Sequence, residues 1–454
     1  MTQLLEISLQ GGSVWQYDPA HVWEDDDYHE WADGEILRVS DEDFEGNQFW
    51  DNALFPVTAP QYRLAQAYGG YCKMGFGMIG LSQDKFSEAN VWPPPRVFGL
   101  SWYRTAGSEA DKEVFFEGSG YRAGFNKRRV DYDLYWPEYE QQLLAEVENY
   151  DGETVPLPRA VGTVQHLHPV RLADVAGKPT YHKAYIAGTV SIDWHAFDDG
   201  VDIDVNVIDH GDGTFSLSAV PVGEVTISGT AAETTLAELF SWGCNASNLS
   251  LSLDTSVAES PSPPVNYCAS TQRPLIDFLS SVAEWNTHLF YIKLSNCYLV
   301  DMFEDNGSRT VTGSDFFEAN YPMNPPVAQI TARWTVRDAV EETIGKYIKD
   351  TQMEEVVASA YPYGNEKIEL EPFDNDRTRI SGSLTNILTL IHSPRAEIPL
   401  PIDEGLPVPG EAVTGTDDKT KQDVTFDIRG RNIRYDFGAK IPKAYIEGEG
   451  TLEA

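Results

Sequence analysis

The hydrophobic and polar positions of this 454-residue chain mostly alternate, and alternation is the pattern of β-strands with one buried face. The clearest example is the segment 201–219. Its apolar and polar positions fall on opposite predicted faces: Val201, Ile203, Val205 and Val207 against Asp202, Asp204 and Asn206. A glycine-containing turn then returns the chain through Phe215, Leu217 and Ala219. The segment predicts a β-hairpin with one solvated face.

Helical spacing occurs in only a few short segments. An acidic helix is predicted at 141–147, and a second begins at Thr234 or Thr235 as N-cap and ends just before Gly243. A third predicted helix follows Pro274, with apolar positions close to one stripe: Leu275, Phe278, Leu279, Val282 and Leu289. A fourth is predicted at 383–392, and paired strands are predicted at 290–302 and a strand at 329–336.

The length predicts several domains, because a single hydrophobic core seldom serves a chain of this size. Prolines and serines cluster without periodicity at 257–266, which is typical of a linker. We predict an N-terminal α+β domain (1–155), a β-rich domain with a hairpin and a short helix (156–256), an inserted α+β piece (257–329) and a C-terminal β domain (330–454). The predicted fold class is mainly β with α+β insertions, in a multi-domain chain.

Composition and charge limit the possible functions. The chain has 71 acidic and 33 basic residues, a formal net charge of −38, whereas proteins that grip nucleic acid carry clustered Lys and Arg. An acidic surface repels DNA, which suits either plain solubility or a channel through which DNA slides. The sequence contains no apolar run long enough to predict a membrane span. The N-terminal sequence lacks the features of a secretory signal, so we expect synthesis to end in the cytoplasm.

The four cysteines, Cys72, Cys244, Cys268 and Cys297, are scattered. Their spacing matches neither a zinc ribbon nor a disulfide framework. We predict that all four are small buried residues.

Two segments repeat one pattern. PVGEVTISGT at 221–230 and PVPGEAVTGT at 407–416 share proline, Gly-Glu, β-branched residues and Gly-Thr. Neither copy has the lysine that a phosphate-binding P-loop requires. Both are therefore predicted to be tight turns that lead into a short strand.

Metal sites have weak support. Asp202, Asp204 and Asn206 have the spacing of calcium ligands, but Val207 and Gly213 stand where an EF-hand loop needs glycine and glutamate. His166 and His168 have the spacing of two zinc ligands on one strand face. His21 and Asp25 would complete such a site, as in peptidoglycan endopeptidases. Because the histidines share their predicted face with valines, we predict no catalytic, cofactor-binding or metal-ligating residue, with His166 and His168 as the alternative.

A succession of segments covering most of the chain resembles tail proteins of tailed bacteriophages, above all the hub or tail-tip proteins of siphophages and Mu-like prophages. The segments are GGYCKMGFGMIGL, VWPPP, VPLPRAVGTVQHLHPVRL, GTFSLSAVPVGEVTISG, TTLAELFSW, PLIDFLSSVAEWNTHLFYIKLSNCYLVDM, IPLPIDEGLPVPGEAVTGTDD and IRYDF. The resemblance implies a helix from Leu275 to Trp285 and a hairpin from Phe290 to Met302.

The resemblance also implies a function and partners. It implies β-barrel-like hub domains similar to the tail-tube fold, in a homotrimeric ring that contacts the distal tail-tube protein and a central fibre or tip protein. No catalysis, cofactor or specific nucleic-acid binding is implied. The chain would lie in the virion tail after assembly in the host cytoplasm, with the face of Asp202, Asp204 and Asn206 lining a DNA channel, forming an interface or facing solvent. A tail-associated cell-wall hydrolase and a glycan-binding adhesin with exposed aromatic residues are the alternatives.

Overall fold

The computed structural model describes residues 2–9, 35–84, 97–135, 146–231, 234–254 and 262–453, apart from internal gaps of at most six residues. Within these residues, α-helices span Leu236–Ala246 (α1), Leu275–Trp285 (α2) and Arg377–His392 (α3). A 3-10 helix spans Asp204–Asn206.

The strands are numbered in chain order. Those that begin before residue 160 are β1 (Thr2–Leu9), β2 (Glu35–Ser40), β3 (Phe44–Glu45), β4 (Phe49–Asn52), β5 (Leu54–Phe55), β6 (Gln61–Gln66), β7 (Gly69–Gly75), β8 (Met78–Ser82), β9 (Val97–Thr105), β10 (Glu113–Phe125), β11 (Arg129–Tyr135), β12 (Glu146–Glu148), β13 (Thr154–Pro156) and β14 (Arg159–Val161). Those that begin between residues 160 and 270 are β15 (Thr163–Leu167), β16 (Val170–Val175), β17 (Lys178–His182), β18 (Tyr185–Ile186), β19 (Thr189–Val190), β20 (Asp193–Asp198), β21 (Val201–Asp202), β22 (Val207–Asp209), β23 (Thr214–Leu217), β24 (Val225–Thr230), β25 (Ser252–Asp254) and β26 (Tyr267–Ala269). The remaining strands are β27 (His288–Lys293), β28 (Asn296–Asp301), β29 (Ser308–Val311), β30 (Val327–Glu342), β31 (Gly345–Ala358), β32 (Glu366–Leu370), β33 (Arg395–Pro401), β34 (Ala412–Asp417), β35 (Val424–Asp436) and β36 (Lys443–Glu453).

The fold is mainly β, as predicted. A nine-stranded sheet near the N-terminus has the order β3-β4-β2-β1-β9-β10-β11-β8-β5. A ten-stranded sheet joins distant parts of the chain in the order β25-β28-β27-β7-β6-β35-β34-β29, with β36 between β35 and β33. Strands from both ends of the sequence thus share one framework.

The ten-stranded sheet curls at β35. This strand pairs with β36 along its length, while its other edge pairs first with β34 and then with β6. A bulge between Gly430 and Asn432 separates the two halves, and a bulge bends its strand and increases the local twist. Gly448 lies on β36 where a Cβ atom would stand 1.8 Å from the carbonyl oxygen of Arg429. The close strand approach therefore requires glycine there.

The largest hydrophobic core lies where α1 and α2 cover the β27-β28-β7 part of this sheet. Phe240 of α1 and Phe278 of α2 are fully buried, and Phe240 packs edge-on against Phe290 of β27 at 4.9 Å between ring centroids. Gly70, the second residue of β7, has a φ of +101°, and a Cβ atom there would meet the Glu284 side chain of α2 at 2.7 Å. Glycine thus allows the helix to lie close to the sheet.

A separate pair of small sheets is formed by residues 163–231, called here the two-sheet unit. One sheet has the order β15-β24-β20-β21 and the other β16-β17-β23-β22. Their shared core contains Tyr181, Ala196, Phe215, Leu217, Val225 and Ile227. Lys183 is buried beside it, with its Nζ atom 4.0 Å from the centre of the Trp194 ring and 2.9 Å from Asp209 Oδ2. Both contacts offset the loss of hydration of the buried ammonium group.

Strands β30 and β31 form a long antiparallel ribbon beside the two-sheet unit. Their register runs from Gln329 opposite Ala358 to Glu342 opposite Gly345. Helix α3 packs against the base of the ribbon, where Ile330 and Ala332 are buried. Farther along, Arg337 Nη1 donates a hydrogen bond to the His166 carbonyl oxygen at 3.3 Å. The ribbon therefore contacts the two-sheet unit through β15.

Several predicted elements are confirmed. Helix α2 spans Leu275–Trp285 with Pro274 at its N-cap position, and β27 and β28 pair as the predicted hairpin. Helix α3 and the strand at 329–336 are also present, although both are longer than predicted. Three of the four cysteines are buried, whereas Cys268 is partly exposed. None of the α-helices in the described residues is both long and apolar enough to cross a membrane.

Other predictions are wrong in detail. Gly243 lies inside α1, which continues to Ala246. A Cβ atom at Gly243 would stand 2.9 Å from Leu279 of α2, so glycine at this position lets the two helices approach. Leu289 belongs to β27 rather than to the preceding helix. Val147 lies in β12, which pairs with β13, and not in a helix. The rest of the predicted helix, residues 141–145, lies outside the described residues, as do His21, Asp25 and the first half of the predicted linker, 257–261.

The predicted hairpin at 201–219 is present only in part. The first strand ends at Asp202, the 3-10 helix follows, and the hairpin proper consists of β22 and β23. The break has a specific cause: Asp204 turns its carboxylate back toward β20, and its Oδ1 atom accepts a hydrogen bond from the Ala196 amide at 2.8 Å. Aspartate competes in this way with ladder hydrogen bonds. Asp202, Asp204 and Asn206 therefore do not share one strand face.

Candidate functional site

The most distinctive surface of the described chain is one end of the two-sheet unit, where two loops lie side by side. The first loop, 199–206, connects β20 through β21 and the 3-10 helix to β22, and the second, 218–224, connects β23 to β24. Asp198 accepts hydrogen bonds from the amides of Val222 and Gly223 at 2.8 and 2.7 Å. At the other end of the pair, the Asn206 carbonyl oxygen accepts from the Ser218 amide at 2.8 Å. The two loops are thus joined at both ends.

Four valines project from these loops into solvent. Their exposed fractions are 49% for Val201, 95% for Val205, 79% for Val220 and 96% for Val222. We call these four residues the valine patch. Single exposed apolar residues are common on soluble proteins, but a group on two joined loops is typical of a contact surface.

Acidic side chains lie beside the valine patch. The two loops and the end of β20 that joins them carry five acidic residues and neither Lys nor Arg: Asp198, Asp199, Asp202, Asp204 and Glu224. Asp199 accepts a hydrogen bond from the Glu224 amide at 2.9 Å, so its carboxylate also fixes the second loop. The patch is therefore an apolar centre with an acidic border on a hydrogen-bonded frame.

His195, Asp202 and Asp204 place three potential metal-ligand atoms within 4.8 Å of one another at the edge of this surface. His195 Nδ1 lies 2.6 Å from Asp204 Oδ2, and Asp202 Oδ1 accepts a hydrogen bond from the Asp204 amide at 2.9 Å. All three side chains are exposed, and these contacts account for their proximity through the fold of the loop. Histidine and aspartate are suitable ligands for a divalent cation, but the hydrogen bonds hold the three side chains together without one.

Of the two histidines of the sequence-based zinc alternative, His166 lies at a bulge in β15 and His168 lies just after the end of that strand. His166 has a φ of +48° and is buried, with Nδ1 3.2 Å from Thr226 Oγ1 and its ring 4.9 Å from that of Phe197. His168 is exposed, and its Nε2 atom lies 2.8 Å from Glu224 Oε1. The bulge turns the two imidazoles toward different partners. That the chain has no catalytic, cofactor-binding or metal-ligating residue stays a prediction.

Burial lowers the pKa of both histidines. For His168 the positive charge of Arg337 lowers the pKa further, while Glu224 raises it. Loss of hydration disfavours the imidazolium form. Both rings are therefore more often neutral at pH 7 than free histidine is.

The repeated segments are both turns that lead into a strand, as predicted: the first leads into β24 and the second into β34. Their glutamates have different surroundings. Glu224 is exposed, whereas Glu411 is buried and its Oε1 atom lies 3.0 Å from Arg309 Nε. One sequence pattern thus forms an exposed turn and a buried one.

A group of buried charges lies on the curled sheet, away from the valine patch. Arg431 of β35 contacts Glu449 of β36, and Arg395 of β33 contacts Glu447. Burial raises the pKa of Glu449 to about 7, even though Arg431 and Arg395 lower it. This carboxyl group is therefore sensitive to pH near neutrality.

Comparison with known proteins gives distant structural similarities. No protein-family model matches the sequence, and no curated protein matches it. The chain is similar to the 43 kDa tail protein of prophage MuSo2 from Shewanella oneidensis, at 9% identity over 89% of this chain and 96% of the other, with a TM-score of 0.42. It is similar to a chain of the virion of a native gene transfer agent particle, at 12% identity over 69% and 87%, with a TM-score of 0.43.

A third similarity is to the tail protein from Neisseria meningitidis MC58, at 8% identity over 68% of this chain and 96% of the other, with a TM-score of 0.34. At such TM-scores the similarity is too distant to establish a shared function.

The sequence indicated part of this surface. The alternation of 201–207 identified the valines and aspartates but assigned them to one flat strand. The signal for the loops was the Asp198-Asp199-Gly200 sequence, because aspartates beside glycine favour turns in which the carboxylate accepts backbone amides. The pairing of Asp198 with residues 24 and 25 positions later could not be predicted from local sequence.

Proposed function

We propose that this chain is a structural protein of a bacteriophage tail, a hub or baseplate component that joins the tail tube to the tail tip or central fibre. The observation that carries the proposal is the agreement between the sequence resemblance and the fold at 275–302. The resemblance implies a helix from Leu275 to Trp285 followed by a hairpin, and α2, β27 and β28 occupy these positions against the curled sheet.

Charge supports the same proposal. A hub forms part of the channel through which DNA leaves the particle, and a channel lined with Lys or Arg would hold each phosphate. A chain with a net charge of −38 avoids this retention. In the proposed assembly, three copies form a ring in the virion tail after assembly in the host cytoplasm, and the ring contacts the distal tail-tube protein on one side and a central fibre or tip protein on the other. The role requires no catalysis.

A deletion experiment tests the proposal. The gene is removed from the phage or prophage genome that encodes it and is returned on a plasmid as wild type. Particles made without the gene are expected to have absent or incomplete tails in electron micrographs and to lose infectivity, and the plasmid copy restores both. Normal tails and normal infectivity without the gene would contradict the proposal.

A further inference from the structure

The valine patch has the physical properties of a prepared contact surface. Val205 and Val222 are 95% and 96% exposed to solvent, and water contact on that scale is unfavourable for an apolar group. Neither side chain supports the core of the two-sheet unit, which is formed by other residues. The exposed valines therefore add nothing to folding that would explain their position.

The loops that carry the patch are held in place before any contact. Asp198 binds two amides of the second loop, Asp199 binds a third, and the Asn206 carbonyl oxygen binds a fourth. On the opposite side, a side chain at Gly200 would meet Ala339 of the ribbon at 2.9 Å, so the first loop lies against β30. A surface fixed in this way loses little conformational entropy when a partner binds.

The charge around the patch selects the partner. The two loops carry acidic residues and neither Lys nor Arg, and complementary potentials favour association while like charges oppose it. A second copy of this chain, joined through the same patch, would place one acidic border against another. The fitting partner is a different protein, with an apolar recess bordered by Lys or Arg.

We propose that the valine patch is the docking surface for such a basic-bordered partner protein within the tail. This inference rests on the proposed function, because it places the partner in the same particle. It assigns a specific contact to loops 199–206 and 218–224, whereas the proposed function assigns a role only to the chain as a whole.

Photo-crosslinking in purified particles tests the inference. The photoreactive amino acid benzoylphenylalanine replaces Val220 in the full chain, which is supplied to particles made without the native gene. Illumination is expected to join position 220 to a different protein, at a peptide that contains Lys or Arg beside apolar residues. Mass spectrometry identifies the joined peptide.

Variants of the patch sharpen the test. Val205→Ser with Val222→Ser is expected to lower the crosslink yield on the order of tenfold or more, because two apolar contacts are lost. Asp202→Asn keeps an acceptor oxygen but removes a charge, and is expected to lower the yield a few-fold. The matched control is Val356→Ser on β31, where the valine is 45% exposed. It lies eight residues along the ribbon from Ile348, the β31 residue that a side chain at Gly200 of the first loop would meet at 3.4 Å. The control is expected to leave the yield unchanged.

Any other result of the crosslinking experiment overturns the inference. A crosslink to a second copy of this chain, a crosslink to a peptide without basic residues, an unchanged yield in the double variant, or no crosslink from a chain that is present in tails would each contradict it while leaving the proposed function intact. Absence of the wild-type chain from the particles would overturn the inference and the proposed function together.

Discussion

The two turns that share the Gly-Glu pattern use the same residues for different purposes. In the turn before β34, Glu411 is buried and its two carboxylate oxygens face Arg309 and the Val408 amide, at 3.0 and 3.2 Å. In the turn before β24, Glu224 is exposed, and aspartates of another loop hold the backbone. The difference teaches that the pattern specifies the turn, while tertiary surroundings decide whether the turn stabilises the fold or presents side chains to solvent.

The largest expected effect is at the buried turn. Glu411→Ala leaves Arg309 without its carboxylate partner in a site that is largely closed to water, and we expect a loss of about 3–5 kcal/mol in the free energy of unfolding. The matched change Glu224→Ala removes an exposed pair with His168 and is expected to cost no more than about 1 kcal/mol. Urea denaturation of both variants measures the difference. Equal losses would contradict the contrast between the turns.

A smaller effect is expected where aspartate holds the exposed turn. Asp198→Ala removes the acceptor of the Val222 and Gly223 amides, and we expect a loss of about 1–2 kcal/mol, confined to the loop. Hydrogen exchange followed by mass spectrometry should show faster exchange in peptides covering 218–224. Asp212→Ala is the control, because its carboxylate binds Thr214 rather than this loop. Unchanged exchange in Asp198→Ala would show that the loop does not depend on that carboxylate.

The buried charges of the curled sheet extend the comparison to pH. The pKa of Glu449 is raised to about 7 by burial, and an unfolded glutamate has a pKa of about 4.3. The folded state therefore binds the proton more tightly, so the stabilisation is complete below the unfolded pKa and is lost as pH rises through about 7. Between pH 5 and pH 8, the melting temperature of the wild type should fall a few degrees more than that of Glu449→Gln. Parallel curves for the two proteins would contradict this assignment.

The smallest effect is expected at the valine patch itself. Val205→Ser with Val222→Ser should change the free energy of unfolding by no more than about 0.5 kcal/mol per residue, because the side chains are already in water. Thermal melting checks this. A large loss of stability would mean that the valines support the fold, and the patch could not then be interpreted as a contact surface.

The sequence predicted the elements whose signals are local. The α2 stripe and the β27–β28 hairpin follow from apolar spacing and turn residues, and both are present as predicted. Predictions were wrong where residues distant in sequence decide how an element begins, ends or packs. The sequence predicts that the helix ends before Gly243, but Leu279 of another helix explains why glycine is needed inside it.

The candidate site shows the same limit. Alternation identified Val201, Val205, Asp202 and Asp204 as notable positions, yet it could not show that Asp204 would turn toward Ala196 and break the strand. Nor could it show that the Asp198 carboxylate would bind the amides of residues 24 and 25 positions later and so join the two loops. Hydrogen bonds between side chains and distant backbone have no periodic signal, so the valine patch became apparent only in the folded chain.

The central claim is that this chain belongs to the hub region of a phage tail, and its position in the particle tests that claim most directly. A small epitope tag is inserted after Gly211, an exposed turn residue with a φ of +75° between β22 and β23, and tagged particles are labelled with gold-conjugated antibody for electron microscopy. The account predicts gold at the end of the tail farthest from the head. Gold on the head or along the tube, or particles that contain none of the tagged chain, would contradict it.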